Sequence, residues 1–341
     1  MATYTEKLAQ FARQLRFDDL PAQVVEDVKL RVLDTLGVCF VTTGMEYAAQ
    51  AAEVARGLGG AGPCTVVKRG GGWSAPGAAW MNGALAHGID FDDVHGRSIM
   101  HMSAVVVPAG LAAAEAHDVG GEELLTALVA GYEVLIRMGL VAPGEFHARG
   151  WQATGVCGSY VAALVAGRLA GLDEAGLARA MGQCGVFGTG LRATADDGTW
   201  SKPLCPGWAA PGGLVAVELG RRGYLAPAAV LEGRWGLYNA YVGLERCDLA
   251  QLTRGLGSEW ETPRASYKPY PTSGSLQSVI DCALWLQKEH EIQAEEIEEI
   301  ELVVGWRSTP AAARRGGGFG PGAEPCTSIG SESSAAARRI H

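Results

Sequence analysis

Apolar residues recur at every third or fourth position over most of the first 250 residues, and this spacing predicts a succession of helices. In the second predicted helix, residues 21–40, the apolar positions form one stripe that we expect to be buried: Val24, Val25, Val28, Val32, Leu33, Leu36 and Phe40. Similar patterns predict helices at residues 8–15, 47–58, 75–86, 103–116, 122–140, 152–170, 174–186 and 208–219. Residues 64–67 form a short β-like segment. The pattern therefore indicates an all-α unit with short Gly/Pro turns.

The pattern changes after residue 260. Residues 267–271 form a proline-restricted extended segment, residues 272–290 another predicted helix, and residues 297–304 alternate polar and apolar positions as a half-buried strand does. Residues 305–341 show no periodicity and are rich in Gly, Ala, Ser and Pro, which predicts disorder. We therefore predict a mainly α fold: a helical domain at residues 1–260, the start of an incomplete α/β lid domain at 261–304, and a low-complexity tail at 305–341.

Composition and net charge indicate which partners and which cellular compartment to expect. The formal net charge of -9 supplies no basic field for phosphates, so we expect no nucleic-acid partner. Apolar runs are shorter than the roughly 18 residues that a membrane span needs, and the N-terminal stretch MATYTEKLAQFARQL predicts an amphipathic helix rather than a signal sequence. The 8 cysteines lack the spacing of a zinc site or a CxxC motif, which predicts reduced thiols and a cytoplasmic protein.

Residues 87–103 concentrate the chemistry of the chain. The stretch holds three carboxylates and three imidazoles between two Ala- and Gly-rich segments: Asp90, Asp92, Asp93, His87, His95 and His101. We expect a polar loop held between two buried helices, where acids and imidazoles shift each other's pKa values as a proton-transfer site requires. The alternative is a solvated loop that is merely polar.

A second polar cluster surrounds Lys202. This lysine stands between a glycine turn and a proline turn, just ahead of a predicted helix. A cation beside the free N–H groups of a helix start makes a site for a carboxylate or an enolate oxygen. The alternative is an ordinary surface lysine.

Together these stretches resemble a known family. The segments HGIDFDDVH with the later His101, GWQATGVCG, GTWSKPLCPGWAA, LEGRWGLYNAY and YKPYP are similar, in order and spacing, to those of the MmgE/PrpD family across about residues 5–304. That family includes 2-methylcitrate dehydratase, cis-aconitate decarboxylase and an iminodisuccinate epimerase. The resemblance implies a large helical domain, a smaller α/β lid, a site in the cleft between them, a homodimer, small di- or tricarboxylate substrates, and no metal or organic cofactor.

The resemblance also assigns roles to residues. Asp90 and His101 match the acid and the imidazole of the family's DFDD…H motif, and Lys202 matches the lysine of its K-x-L-H segment. We therefore expect these three residues to be catalytic. Lys268 and Tyr270 match the KPYP segment and are expected to bind substrate.

Several positions depart from the family's pattern. Val94 stands where the family usually has Thr, and Met102 where it has Pro. Family histidines are replaced by Gln152, Cys205 and Gln277, which we expect to contact substrate in their place. Glutamine can hold a carboxylate by hydrogen bonds, but it cannot shuttle protons near neutral pH.

The function that we predict is a cofactor-independent hydro-lyase or isomerase reaction on a small di- or tricarboxylate. Proton abstraction α to a carboxylate would use Asp90 and His101, with electrostatic support from Lys202. Because three family histidines are replaced, epimerisation or decarboxylation is as compatible with the residues as dehydration of 2-methylcitrate. A rival from another class is a catalytically inactive scaffold whose lid domain is truncated.

Overall fold

A computed structural model gives the structure of residues 2–297 and of residue 300. These residues are mainly α-helical, which confirms the predicted fold class. The helices are α1 (Tyr4–Gln14), α2 (Ala22–Thr42), α3 (Glu46–Gly57), α4 (Ala75–Ala86), α5 (Ser103–His117), α6 (Gly121–Leu140), α7 (Glu145–Ala148), α8 (Ala153–Leu169), α9 (Glu174–Gln183), α10 (Thr194–Asp197), α11 (Leu204–Arg221), α12 (Leu237–Tyr241) and α13 (Gln277–His290). The β-like segment is strand β1 (Cys64–Val66), which pairs antiparallel with β2 (Gly70–Trp73).

Four helices, α4, α5, α8 and α11, pack against one another at the centre of the molecule. Every residue of α8 is buried. Helices α4 and α11 approach closely through glycine, because a Cβ added at Gly83 would lie 2.9 Å from the Cα of Gly207. This approach matters for the site, since residues 87–103 follow α4 and Lys202 precedes α11.

The buried face of α2 differs from the predicted stripe. Val24, Val25 and Val28 are buried as predicted, but the prediction is wrong for Leu33 and Phe40, which are 66% and 55% exposed. The buried face continues instead through Arg31, Thr35 and Thr42. Arg31 is buried because its guanidinium donates hydrogen bonds to a carboxylate and to a backbone carbonyl inside the protein. Hydrophobic periodicity carries no information about such partners.

Two other predicted helices differ at their ends. The segment predicted as one helix over residues 174–186 is α9 followed by a 3-10 helix, Cys184–Val186. The segment predicted over residues 272–290 begins with a 3-10 helix, Gly274–Leu276, and continues as α13.

After residue 260 the chain runs along the helical core and then forms α13. No residue of α13 is buried by the described part of the chain, and Leu284 and Trp285 are 47% and 59% exposed. Of the predicted strand at 297–304, only Ile297 and Ile300 are described; the predicted tail at 305–341 lies outside the described residues. The division at residues 260 and 304 therefore stays a prediction.

Two further observations concern the described residues as a whole. Among them, no helix combines the length and the apolar character that crossing a membrane requires. Their cysteines are all free thiols, and Cys39, Cys64, Cys157 and Cys184 are buried. The cytoplasmic location remains a prediction.

Candidate functional site

The polar stretch at residues 87–103 is a loop between two buried helices, as the sequence predicts. It leaves the C-terminus of α4 at His87 and returns to the core where α5 begins at Ser103. Asp90 adopts a left-handed backbone conformation with φ of 52°. Such a conformation is unfavourable for a residue other than glycine, and it is maintained here by the contacts of the Asp90 side chain and carbonyl.

Asp90 is held between two lysines that come from distant parts of the chain. The Nζ of Lys202 lies 2.7 Å from Oδ2 of Asp90, and the Nζ of Lys268 lies 2.8 Å from Oδ1. Lys268 also donates a hydrogen bond to the carbonyl oxygen of Asp90, at 2.7 Å. Burial opposes ionisation of Asp90, but the ammonium groups of Lys268 and Lys202 outweigh it and hold its pKa below the ordinary value. Asp90 is therefore an ionised carboxylate that is shared by two ammonium groups.

Asp92 faces two imidazoles instead. Its Oδ2 lies 2.8 Å from Nδ1 of His87, with which it forms a hydrogen bond, and 3.1 Å from Nδ1 of His101. The two imidazole rings meet edge to face at 4.9 Å. Burial disfavours the charge of Asp92, but the two imidazoles and Lys268 outweigh it, so its pKa lies well below the ordinary value. Burial lowers the pKa of His87, and the neighbouring carboxylate of Asp92 opposes this effect.

The other acid and the other histidine of the loop have structural partners. Asp93 accepts a hydrogen bond from Arg31, at 2.7 Å, and one from the backbone N–H of Ser103, at 3.0 Å. The Nδ1 of His95 lies 2.8 Å from the hydroxyl oxygen of Ser98. These contacts fix the loop rather than face the lysines.

The solvent-accessible members of the cluster define its open side. The side chains of Lys202, Asp90 and His101 are 27%, 23% and 13% exposed, whereas those of Lys268 and Asp92 are 0% and 1% exposed. A molecule arriving from solvent would therefore meet Lys202, Asp90 and His101 first. Behind them, the buried Lys268 contacts Asp90 and the buried Asp92 contacts His101.

Gln152 and Cys205 lie together beside the start of α8. Gln152 caps this helix, since its Oε1 accepts a hydrogen bond from the N–H of Thr154 at 3.3 Å. A Cβ added at Gly190 would lie 3.3 Å from Cβ of Gln152 and 3.6 Å from Sγ of Cys205, so both side chains flank this glycine. Burial raises the pKa of the Cys205 thiol, which makes it a weak proton donor. Their predicted contact with substrate stays a prediction.

The side chains of Tyr270 and Gln277 form hydrogen bonds within their own chain segment. The hydroxyl of Tyr270 donates to Oδ1 of Asp281 at 2.7 Å. The side-chain amide of Gln277 accepts from the N–H of Tyr270 and donates to the carbonyls of Tyr270, Thr272 and Ser273. The structure thus brings Asp90, His101, Lys202 and Lys268 together and places Tyr270 and Gln277 in a separate set of contacts.

The spacing of His87, Asp92 and His101 also resembles that of a metal site. One ligand atom from each residue lies within 4.8 Å of the others. The surrounding charge disfavours a divalent cation, because Nζ of Lys268 lies 3.9 Å from Oδ1 of Asp92 and would repel it. The nearby ammonium, rather than the donor set, argues against a metal ion, and the absence of a metal remains a prediction.

Two residues near the site had no role in the sequence analysis. Asp92 pairs with His101, a partnership that we had expected for Asp90. His147, after the start of α7, is partly buried. Burial lowers its pKa to about 3, and the charges of Arg192, His101 and Lys202 add to the effect.

Similarity to known proteins extends over most of the chain. A sequence profile of the MmgE/PrpD N-terminal domain matches residues 6–250. The chain is 27% identical to a cis-aconitate decarboxylase-like protein, oryM, of Aspergillus oryzae, over 97% of this chain and 71% of that protein. It is also 27% identical to the cis-aconitate decarboxylases of Aspergillus terreus and Mus musculus, in each case over 84% of this chain.

The matched region spans 60% of the Aspergillus terreus enzyme and 59% of the mouse enzyme. The chain thus resembles the family at the loop and at the two lysine segments, and it also matches the family over most of the helical region. The chain belongs to the MmgE/PrpD family.

Proposed function

We propose that this chain is a lyase that acts on a small polycarboxylate by proton transfer, with a cis-aconitate-like tricarboxylate as the first candidate substrate. The observation that carries the proposal is the convergence of Lys202 and Lys268 on one carboxylate beside the pair formed by Asp92 and His101. The names of the relatives favour decarboxylation within the lyase class.

The two lysines supply electrostatic support. Substrate carboxylates can replace Asp90 as partners of Lys202, whose side chain is 27% exposed. When a C–C bond to a carboxylate breaks, CO2 leaves and the electron pair is delocalised toward a neighbouring carboxylate of the substrate. A fixed ammonium group beside that carboxylate stabilises the developing charge, and such preorganised interactions are among the largest contributions to catalysis.

His101 with Asp92 supplies the proton. We assign His101, whose Nδ1 lies 3.1 Å from the carboxylate of Asp92, as the group that donates a proton to the carbon that received the electron pair. The balance for a cis-aconitate-like substrate is one carboxylate lost as CO2 and one proton gained at carbon. Asp90 is a poor proton acceptor while both lysines hold it, so we assign it the role of positioning Lys202 and Lys268.

The same groups could serve a hydro-lyase, since removal of a proton α to a carboxylate gives an intermediate of similar charge. Dehydration of a 2-methylcitrate-like substrate would use His101 as the base. An epimerase would need a second proton donor on the opposite face of the substrate, and the thiol of Cys205 and the amide of Gln152 are poorly suited to that role.

The test is turnover by the purified chain in deuterated water. cis-Aconitate, 2-methylcitrate, citrate and iminodisuccinate would each be incubated with the protein and followed by proton NMR. The proposal expects loss of carboxylate with incorporation of one deuteron, and no turnover by His101→Asn. A chain that folds cooperatively but converts none of these compounds would contradict the proposal.

A second candidate is a catalytically inactive scaffold. The observation that favours it is α13, whose apolar side chains Leu284 and Trp285 are exposed in the described part of the chain. Absence of turnover together with a broad, non-cooperative thermal transition would favour this candidate. A single sharp transition with turnover would exclude it.

A further inference from the structure

Arg31 joins the loop at residues 87–103 to the chain segment that carries Lys268. Its side chain is 0% exposed, and its guanidinium reaches both structures. One nitrogen donates to Oδ2 of Asp93 at 2.7 Å, and another donates to the carbonyls of Thr262 and Ala265 at 3.2 and 2.9 Å. We call residues 259–268 the connector.

Further contacts of Arg31 reinforce this junction. Its guanidinium lies over the ring of Tyr267, a connector residue, with 4.6 Å to the ring centroid. Asp27, one turn earlier in α2, accepts from Nε of Arg31 at 2.8 Å and from the hydroxyl of Tyr267 at 3.2 Å. The planar fork of arginine presents five N–H donors in a fixed geometry that reaches acceptors on two sides, whereas a lysine ammonium presents three donors at a single point.

The other end of the connector is fixed by Glu133 of α6. This fully buried carboxylate accepts from the backbone N–H groups of Glu261 and Thr262, at 3.1 and 2.8 Å, and from the hydroxyl of Thr262 at 2.6 Å. Arg137 pairs with Glu133 and donates to the carbonyl of Glu259 at 2.7 Å. Charged side chains on α2 and α6 therefore hold the connector at both of its ends.

Beyond the contacts of Arg31, the connector pairs directly with the loop. Val94 and Ser266 exchange backbone hydrogen bonds of 3.0 and 2.9 Å. Lys268 follows two residues later, with its Nζ against Asp90. The position of this ammonium therefore depends on how the connector packs against the loop, and Arg31 of α2 contacts both.

We propose that Arg31 is a positioning residue that sets the place of Lys268 relative to Asp90 and Asp92. Arg31 does not contact the open side of the site; it acts through Asp93 on one side and through Thr262, Ala265 and Tyr267 on the other. The consequence for catalysis rests on the proposed function, whereas the consequence for Lys268 does not. A misplacement of about 1 Å can reduce turnover about 10²-fold.

The test compares Arg31→Lys with Arg168→Lys. Arg168 is also buried, at 5% exposure, but it contacts Glu123 and the carbonyl of Ala12, away from the connector. Each folded protein would be treated with an amine-acylating reagent, and modification of Lys268 measured by mass spectrometry against exposed Lys29. We expect roughly tenfold faster acylation of Lys268 in Arg31→Lys and an unchanged rate in Arg168→Lys.

A kinetic readout accompanies the chemical one. If the wild-type chain converts a polycarboxylate, Arg31→Lys should raise KM and lower kcat, while Arg168→Lys should only lower the melting temperature. If the wild-type chain has no turnover, the proposed function fails and the acylation rates still decide the role of Arg31.

Equal acylation of Lys268 in the wild type and Arg31→Lys would overturn the inference. Global unfolding of Arg31→Lys under conditions where Arg168→Lys stays folded would also overturn it, because Arg31 would then support the whole core rather than the connector. The amide hydrogen exchange of Val94 and Ser266 gives an independent check, and it should accelerate only in Arg31→Lys.

Discussion

Lys202 and Asp90 form an ion pair of 2.7 Å, although one residue precedes α11 and the other follows α4. The pair exists because α4 and α11 pack closely enough to bring these two helix ends together. Asp90 occupies the lysine in the way that the carboxylate of a bound substrate would. Binding of a polycarboxylate would therefore exchange one carboxylate for another as the partner of Lys202.

Lys202→Met should remove most of the activity and little of the stability. Losing one preorganised electrostatic donor typically lowers turnover about 10²- to 10³-fold. The ion pair is partly exposed, and such pairs stabilise proteins by about 1 kcal/mol or less, so the melting temperature should hardly change. Turnover and thermal melting would be measured side by side, with Lys29→Met, which removes an exposed ion pair with Glu26, as the control. Full activity in Lys202→Met would remove this lysine from the site.

Asp92→Asn should lower turnover strongly, although asparagine has nearly the same shape as aspartate. The amide cannot stabilise a protonated His101, and general acid–base groups typically contribute about 10²- to 10⁴-fold. The measurement is kcat as a function of pH for the wild type and the variant, with Asp248→Asn at an exposed and distant ion pair as the control. Retention of wild-type kcat and of its pH profile by Asp92→Asn would contradict the assignment of Asp92 as the partner of His101.

The loop itself was predictable from sequence, whereas its internal partnerships were only partly so. Small apolar segments before His87 and after Ser103 predict packed helices, and a polar run between them can only be a loop. The meeting of Lys202 with Asp90 follows from helix packing across the core, which no local pattern encodes. It was predicted through the resemblance to the family and not through spacing.

The burial of Arg31 could not be predicted from the sequence. A charged residue within a helix is expected to face solvent, and periodicity assigns the buried face to apolar side chains such as Leu33 and Phe40. The structure reverses this because Asp93, Thr262 and Ala265 offer acceptors to a buried guanidinium. Two of these partners are backbone carbonyls far along the chain, which a sequence pattern cannot reveal.

Acidification should destabilise the protein through His147. Burial lowers the pKa of its imidazole to about 3, whereas the unfolded chain would bind a proton near pH 6.5. Between these two values the unfolded state binds more protons, so the free energy of unfolding falls as pH falls, by at most about 1.4 kcal/mol per pH unit for this group. Urea unfolding at about pH 7.5 and about pH 5 should show a smaller loss for His147→Gln than for the wild type. An identical loss in the two proteins would show that His147 titrates normally.

Gln277→Ala should loosen the segment that leads into α13 without affecting the helical core. The side-chain amide of this residue makes hydrogen bonds to the backbone of Tyr270, Thr272 and Ser273, and alanine would leave these groups to water. Amide hydrogen exchange at residues 270–273 should accelerate, while the main thermal transition stays in place. Gln287→Ala on the exposed side of α13 is a matched control. Unchanged exchange with a raised KM would instead support the predicted substrate contact of Gln277.

Asp34→Asn should stabilise the protein at neutral and alkaline pH. Burial raises the pKa of Asp34 to about 6, and the nearby carboxylates of Asp93 and Asp92 add to the effect, while Arg31 opposes it. The folded state therefore holds a proton more tightly than the unfolded chain, so this group contributes stability below about pH 3.8 that is lost as pH rises through about 6. Asparagine removes that loss, and since Asp34 is only partly buried we expect a gain of about 1 kcal/mol near pH 8. The measurement is urea unfolding near pH 8 and near pH 4, with exposed Asp18→Asn as the control. The gain should disappear at the lower pH; a destabilised Asp34→Asn near pH 8 would mean that the carboxylate has a stabilising partner in the folded state.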